Sequence, residues 1–195
     1  MTVTVRPVDP DADAPLLTSW VTAERASFWG MADYEEQHVR EVYGYIADQE
    51  HLAAYLLVLD GAPVGLLQTY DPFVDEIGEW YDRQPGDVGI HLLLAYDERR
   101  IGRTPEVLAG LLDFVARLPG CRRLVLEPDA RNAPSVALME RLGCERGPLV
   151  ELRTSISEKP AQFFFLGREQ ALDRARLTSG QAARGGDVPG GRLGA

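Results

Sequence analysis

GIHLLLAYDERRIGRTPEVLAGLLDFVARL, residues 89–118, sets an apolar run, a charged turn and a leucine-rich segment in succession. Ile90, Leu92, Leu93, Leu94 and Ala95 crowd around a single histidine, so DVGIHLLLA, residues 87–95, reads as a buried strand. Beyond RRIGRTP, residues 99–105, Val107, Leu108, Leu111, Leu112 and Val115 recur at helical spacing. A strand therefore feeds a glycine-bearing turn that opens a helix. Such a junction aims several backbone N–H groups and the positive end of the helix dipole at one spot. With Arg99, Arg100 and Arg103 beside it, the stretch is either an ordinary turn with solvated charges or an anion cradle suited to a pyrophosphate.

Near the N-terminus, TVTVRPV alternates like a short strand, and Pro15 is read as opening a helix through Leu16, Trp20 and Ala23. EEQHVREVYGYIADQ places Val39, Val42, Tyr43 and Ile46 on one face of a second helix. AAYLLVLDGAPVGLLQTY is two apolar runs joined at Asp60-Gly61, a hairpin signal. Residues 71–87 read as a polar loop. CRRLVLEP is a further strand, APSVALMERLG a helix stopped by Gly143, and PLVELRTSIS with AQFFFLG a last antiparallel pair. The order β, α, α, β-hairpin, β, α, β, α, β, β predicts one mixed α/β domain over residues 1–170. Residues 171–195 are read as a tail, disordered from about Thr178, because TSGQAARGGDVPGGRLGA is rich in glycine and poor in apolar residues.

The chain has 195 residues and a net charge of -10, a sign that opposes non-specific nucleic-acid binding and suits a cationic or amine-bearing partner. Cys121 and Cys144 are its two cysteines, too few for a disulfide framework and without metal-ligand spacing, so no metal site is expected. No apolar run approaches the ~18 residues of a membrane span. MTVTVRPVDP lacks the layout of a signal peptide. A soluble cytoplasmic protein is the expectation.

Arg99, Gly102 and Thr104 form R-x-x-G-x-T between strand and helix. This resembles the coenzyme A pyrophosphate loop, Q/R-x-x-G-x-G/A, of the GNAT N-acetyltransferases, with Thr104 departing from the pattern at the last position. ARNAPSVALMERLGC, residues 130–144, is similar to that family's N-x-x-A-x-x-L-Y-E-K-L-G-F segment and lies in the corresponding place. SFWGMADYEEQHV (27–39), GIHLLLA (89–95) and EPDARN (127–132) narrow the likeness to the siderophore-biosynthesis acyltransferases. The aminoglycoside 6′-N-acetyltransferases are a sister branch that carries an aspartate where this chain has His91. The resemblance implies a central, mixed, mostly antiparallel sheet flanked by helices, an acyl-CoA co-substrate (acetyl-CoA or succinyl-CoA), and a small-molecule amine acceptor. Other siderophore-pathway enzymes would be its companions.

Residue roles follow from the likeness and from the chemistry. Moving an acyl group from a thioester to an amine needs a free lone pair on nitrogen and somewhere for a proton to go, a task that suits a histidine near neutral pH. His91 is either that base or a lone core histidine; the family match favours the base. The resemblance makes Asp129 its partner, while the sequence equally allows a turn or cap aspartate. Asn132 suits helix capping and a hydrogen bond to the pantetheine arm alike. Backbone groups of Leu92, Leu93 and Leu94 are expected to pair with the pantetheine amides, and Arg99, Arg100, Gly102, Arg103 and Thr104 to face the pyrophosphate. Phe28 and Trp29 either border the acceptor pocket or belong to the core, and His38 and His51 are assigned to the surface. Met139 stands where many GNAT enzymes have a proton-donating tyrosine, a role methionine cannot fill. Two other readings stay open: aminoglycoside acetylation, and a non-catalytic acyl-CoA-binding domain.

Overall fold

A computed structural model describes residues 3–184 of the chain. Its sheet runs β1 (Val3–Pro7), β2 (Leu52–Leu59), β3 (Ala62–Tyr70), β4 (Asp87–Leu94), β5 (Arg123–Leu126), β7 (Glu158–Gly167), β6 (Glu145–Arg153). All neighbours are antiparallel except β4 and β5, which lie parallel because a helical crossover joins them. The β2–β3 hairpin turns through Asp60 (φ 49°) and Gly61 (φ 85°), the two left-handed positions a tight two-residue hairpin requires.

Helices cover both faces, which is why the strands read as unbroken apolar runs. Leu57, Leu59 and Leu67 point to one side, against α3 (Thr104–Ala116), whose Val107, Leu111, Leu112 and Val115 are all buried. Leu56, Val58 and Leu66 alternate to the other side, against α1 (Pro10–Val21) and α2 (Glu36–Ala47) through Leu17, Val21, Val39 and Tyr43. α4 (Ala133–Arg141) follows β5, and Gly143 at φ 75° ends it in the left-handed conformation expected there.

Two expected boundaries are corrected. α1 begins at Pro10, not Pro15: Asp9 caps it by accepting from the backbone N–H groups of Asp11 and Ala12, both at 3.0 Å. Pro15 sits inside the helix, on its exposed side. At the other end, residues from 171 are not a tail. α5 (Arg168–Arg184) buries Ala171, Leu172 and Ala175 in the same core as α3, so the domain extends beyond residue 170. The disorder expected for residues 185–195 lies outside the described residues. The loop after β3 also contains a short 3-10 helix, Glu76–Trp80. No described helix is long and apolar enough to cross a membrane.

Candidate active site

The parallel pairing of β4 with β5 lasts only from Asp87–Gly89 to Arg123–Val125. A half-buried ion pair pins the two strands at that end, with Arg123 donating to both oxygens of Asp87 at 2.7 Å. Past Gly89 the strands part, and Pro128, which has no N–H to offer a ladder, follows the end of β5. The gap widens into a cleft of about 1830 Å³. One wall is the free edge of β4, Ile90 to Leu94; the opposite wall carries Glu127, Asn132, Ser135 and Met139. A 3-10 turn, Glu24–Trp29, brings Phe28 and Trp29 to the cleft and ends at Gly30, whose φ of 85° is left-handed.

His91 sits midway along the free edge of β4 and is 33% exposed to the cleft. Trp29 meets its ring edge-on, with centroids 6.5 Å apart, and the Tyr70 ring lies at 5.1 Å. Trp29 is therefore both a core residue and a cleft residue, since it also packs against the α1–α2 cluster. Phe28 is about half exposed.

The expected pairing of His91 with Asp129 is not what the structure contains. His91 Nε2 is 2.7 Å from Oε1 of Glu127, the residue two earlier. Asp129 is turned to Arg131, which donates to it through Nε at 2.9 Å, NH2 at 2.6 Å and its own backbone N–H at 2.8 Å. Those bonds hold the Asp129 carboxyl below its ordinary value. The cause is the chain's change of direction at Pro128: residues 127 and 129 would share a face of a continuing strand, but the strand stops at Leu126. Asp129 still lines the cleft.

Glu127 has no exposed side-chain surface. Besides His91 it accepts from the Tyr70 hydroxyl at 2.9 Å and from Lys159 Nζ at 3.5 Å. Burial raises a carboxyl's pKa, yet here the neighbouring His91, then Lys159 and the Tyr70 hydroxyl outweigh it and hold Glu127 at about 2. Tyr70 is pushed well above its ordinary value, first by burial and then by the Glu127 charge. Glu127, Tyr70 and Lys159 were not legible as site residues; the one hint is a carboxylate directly after the buried strand RLVL, which must find partners if it is buried.

At the RRIGRTP loop the three arginines separate. Arg99 is tied to Asp97, and Arg103 to Asp60 and Glu106, so their charges are answered within the chain and neither lines the cleft. Arg100 does line it. Its Nε donates to the Ala95 carbonyl and its NH1 to the Thr104 hydroxyl at 2.7 Å, so Thr104 holds the guanidinium in place. Burial, then the nearby positive charge of Arg25, lowers the Arg100 pKa. Arg25 also lines the cleft, and neither of these two arginines has a carboxylate in contact among the described residues. Gly102 stands at φ 75° with open space where a side chain would be. Its N–H and that of Thr104 donate to no backbone carbonyl among the described residues. This corner fits a phosphate anion.

Asn132 caps α4 by accepting from the Ser135 N–H at 3.2 Å, which leaves its amide N–H₂ facing the cleft it lines. Met139 is buried in the same wall. His38 is exposed, as assigned, and His51 half-buried; both line the cleft, and His38 accepts from the Glu35 backbone N–H at 3.4 Å.

Three likenesses to known proteins match this architecture. Lysine N-acyltransferase MbtK of Mycobacterium sp. (strain MCS) is 30% identical over 146 residues, which cover 72% of this chain and 58% of that protein, so this chain spans little more than half of that relative's length. Aminoglycoside N(6')-acetyltransferase type 1 of Klebsiella pneumoniae is 26% identical over 175 residues, 84% of this chain and 82% of that protein. The crystal structure of aminoglycoside acetyltransferase AAC(6')-Ib in complex with coenzyme A superposes with a TM-score of 0.72 at 26% identity, covering 90% of this chain and 99% of that one. Residues 9–152, most of the described chain, match the acetyltransferase (GNAT) domain, and with the split β4–β5 pair and the loop at Gly102 this places the chain in the GNAT acetyltransferase family.

Proposed function

We propose that the chain is an acyl-CoA-dependent N-acyltransferase that acylates an amine, N-hydroxylated as in hydroxylysine or hydroxycadaverine, in hydroxamate siderophore biosynthesis. The observation that carries this reading is a histidine on the free edge of β4 whose Nε2 is engaged and whose Nδ1 makes no hydrogen bond among the described residues. The acyl-CoA would lie in the split between β4 and β5, its pantetheine amides along Leu92, Leu93 and Leu94 as though it were an added strand. Its phosphates would meet Arg100 and the N–H groups at Gly102 and Thr104. The amine would enter beside Phe28 and Trp29.

The nitrogen lone pair attacks the thioester carbonyl, and the tetrahedral intermediate collapses with loss of the CoA thiolate. A proton leaves the nitrogen for Nδ1 of His91 and passes on to the thiolate or to solvent. Met139 supplies no proton; a thiolate leaves without one more readily than an alkoxide or amide would. The 30% identity to a lysine N-acyltransferase supports the acceptor class.

Aminoglycoside acetylation is the second reading, favoured by the longer coverage of the Klebsiella relative. Thiol release from acetyl-CoA and succinyl-CoA, measured with N-hydroxycadaverine, N6-hydroxylysine and kanamycin, decides between them. Higher kcat/KM on kanamycin overturns the siderophore reading, and CoA binding without turnover on any amine overturns the catalytic one.

A further inference from the structure

We infer that Glu127 is the positioning residue of the site: a buried carboxylate that fixes His91 as its Nε2–H tautomer and so presents a bare Nδ1 to the cleft. The inference rests on the proposed acyl transfer for its kinetic consequence only; the tautomer itself is a property of the resting protein.

Among the described residues, every side chain within hydrogen-bonding reach of Glu127 can donate. Tyr70, the last residue of β3, gives its O–H to Oε2. Lys159, on β7, reaches Oε1 at 3.5 Å, and His91, on β4, reaches the same oxygen at 2.7 Å. An ionised carboxylate only accepts, so the nitrogen that faces it must carry hydrogen. In the neutral ring the lone pair is then on Nδ1. Tyr70 cannot take the proton's place, because its hydroxyl proton is already donated to the other oxygen. Asp129 cannot compete, since Arg131 occupies both of its oxygens.

The ring is held in orientation as well as in tautomer. Trp29 stands across it at 82° and Tyr70 lies against it at a centroid separation of 5.1 Å. A single hydrogen bond at Nε2 would leave rotation about its axis; the two aromatic walls remove it. Lys159 has a separate part. It answers the charge of Glu127 when His91 is neutral, so the carboxylate stays ionised in the fold throughout the proton's transit.

The carboxylate gains no proton in this scheme. As the C–N bond forms, the amine proton moves to Nδ1, and Nε2–H continues to donate to Glu127. The imidazolium that results lies 2.7 Å from a fixed anion, which stabilises it more than the neutral ring.

The experiment is nitrogen NMR of the His91 ring together with steady-state kinetics on Glu127→Ala, Glu127→Gln and Asp129→Asn. In the wild type, at pH values where the ring is neutral, the expected signature is protonated Nε2 and unprotonated Nδ1. Glu127→Ala should replace it with a mixture of tautomers and lower kcat by about 10²-fold, leaving KM for acyl-CoA unchanged. Glu127→Gln keeps the shape and loses the charge, so it guards against simple misfolding. Its kcat should also fall, with KM for acyl-CoA unchanged, because the ring formed on proton transfer loses the fixed anion beside Nε2. Asp129→Asn should leave the tautomer signature as in the wild type. A folded Glu127→Ala protein that keeps the Nε2–H signature, or an Asp129→Asn protein that loses it, overturns the assignment. If no amine is acylated by any variant or by the wild type, the acyl-transfer reading fails while the nitrogen spectra still test Glu127.

Discussion

The ring of Tyr70 occupies the space that a side chain at residue 89 would need. The two residues are register partners across β3 and β4, and a Cβ built on Gly89 would run into the ring carbons. Gly89 is therefore what lets Tyr70 lie across β4 and reach Glu127, and the parting of β4 from β5 begins at the same residue. The sequence GIHL thus joins two requirements: a residue with no side chain, then the histidine two positions on.

Gly89→Ala is expected to destabilise the fold by about 1–3 kcal/mol, the usual scale for overpacking. It should also lower kcat, because the displaced ring no longer reaches Glu127. Denaturant unfolding of Gly89→Ala, Tyr70→Ala and the double variant checks the cause. If the ring is what the new methyl meets, the double variant loses less than the sum of the two single losses. Strict additivity rules the steric account out.

Glu127 makes stability depend on pH in a stated direction. Its carboxyl is at about 2 in the fold against an ordinary 4.5, so the unfolded chain binds that proton more readily. The stabilisation is fully present above the unfolded value and is lost as pH falls through the interval down to the folded one. Its size is on the order of 3 kcal/mol. Glu127→Gln should therefore show a flatter loss of stability than the wild type between about pH 5 and pH 3. Parallel acid limbs in urea unfolding would falsify the assignment of this carboxylate.

Much of the fold could be read from the chain because local chemistry and burial agreed. Asp60-Gly61 is a hairpin by its backbone requirements alone, and Val107 to Val115 carry a helical period that the sheet then buries. Less was legible where two local signals competed. Pro10 and Pro15 are both admissible first-turn prolines, and only the Asp9 cap, a matter of side-chain direction, decides for Pro10. At the site, His91 stood out as a polar residue in an apolar strand, whereas its partner did not. Glu127 and Asp129 are two residues apart, and which one faces the cleft depends on how the chain turns at Pro128. Tyr70 is 57 residues from Glu127, a pairing that only the sheet order brings about.

The last helix was obscured by the glycine-rich sequence after it. Ala171, Leu172 and Ala175 fall on one helical face and are buried in the core that α3 shares, with α5 packed against α3 and β7. Leu172→Ala should cost about 2–5 kcal/mol. Truncation after residue 177 keeps these contacts and should leave the melting temperature nearly unchanged, while truncation after Gly167 should abolish cooperative unfolding. A stable, cooperative protein ending at residue 167 would show that α5 is dispensable.

His91→Ala is expected to lower kcat by about 10²-fold or more, with little change in acyl-CoA binding. The side chain lies beside Trp29, whereas Arg100 is held by the Ala95 carbonyl and Thr104, so loss of the imidazole leaves the Arg100 corner unchanged. A variant that retains most of its kcat, with the wild-type pH profile, removes His91 from the reaction. Attack by an already neutral nitrogen would then suffice.

Gly102 separates backbone strain from ligand crowding. At φ 75° most L side chains are strained, by about 1–2 kcal/mol, a β-branched one most of all and asparagine least. Within the protein a Cβ at residue 102 would meet nothing within 4 Å, so no internal clash adds to that strain. The space it would enter lies beside the N–H groups of Gly102 and Thr104, where the phosphates are expected. Gly102→Asn should therefore keep nearly the wild-type melting temperature while raising KM for acyl-CoA. Loss of one hydrogen bond to a charged group, about 1.5–3 kcal/mol, corresponds to roughly tenfold to 10²-fold in affinity. Gly102→Val should show the same rise together with a lower melting temperature. KM for the amine should move little in either, because Phe28, Trp29 and His91 lie on other elements of the cleft. Unchanged CoA affinity in a folded Gly102→Asn protein, measured by titration calorimetry, removes the pyrophosphate from this loop.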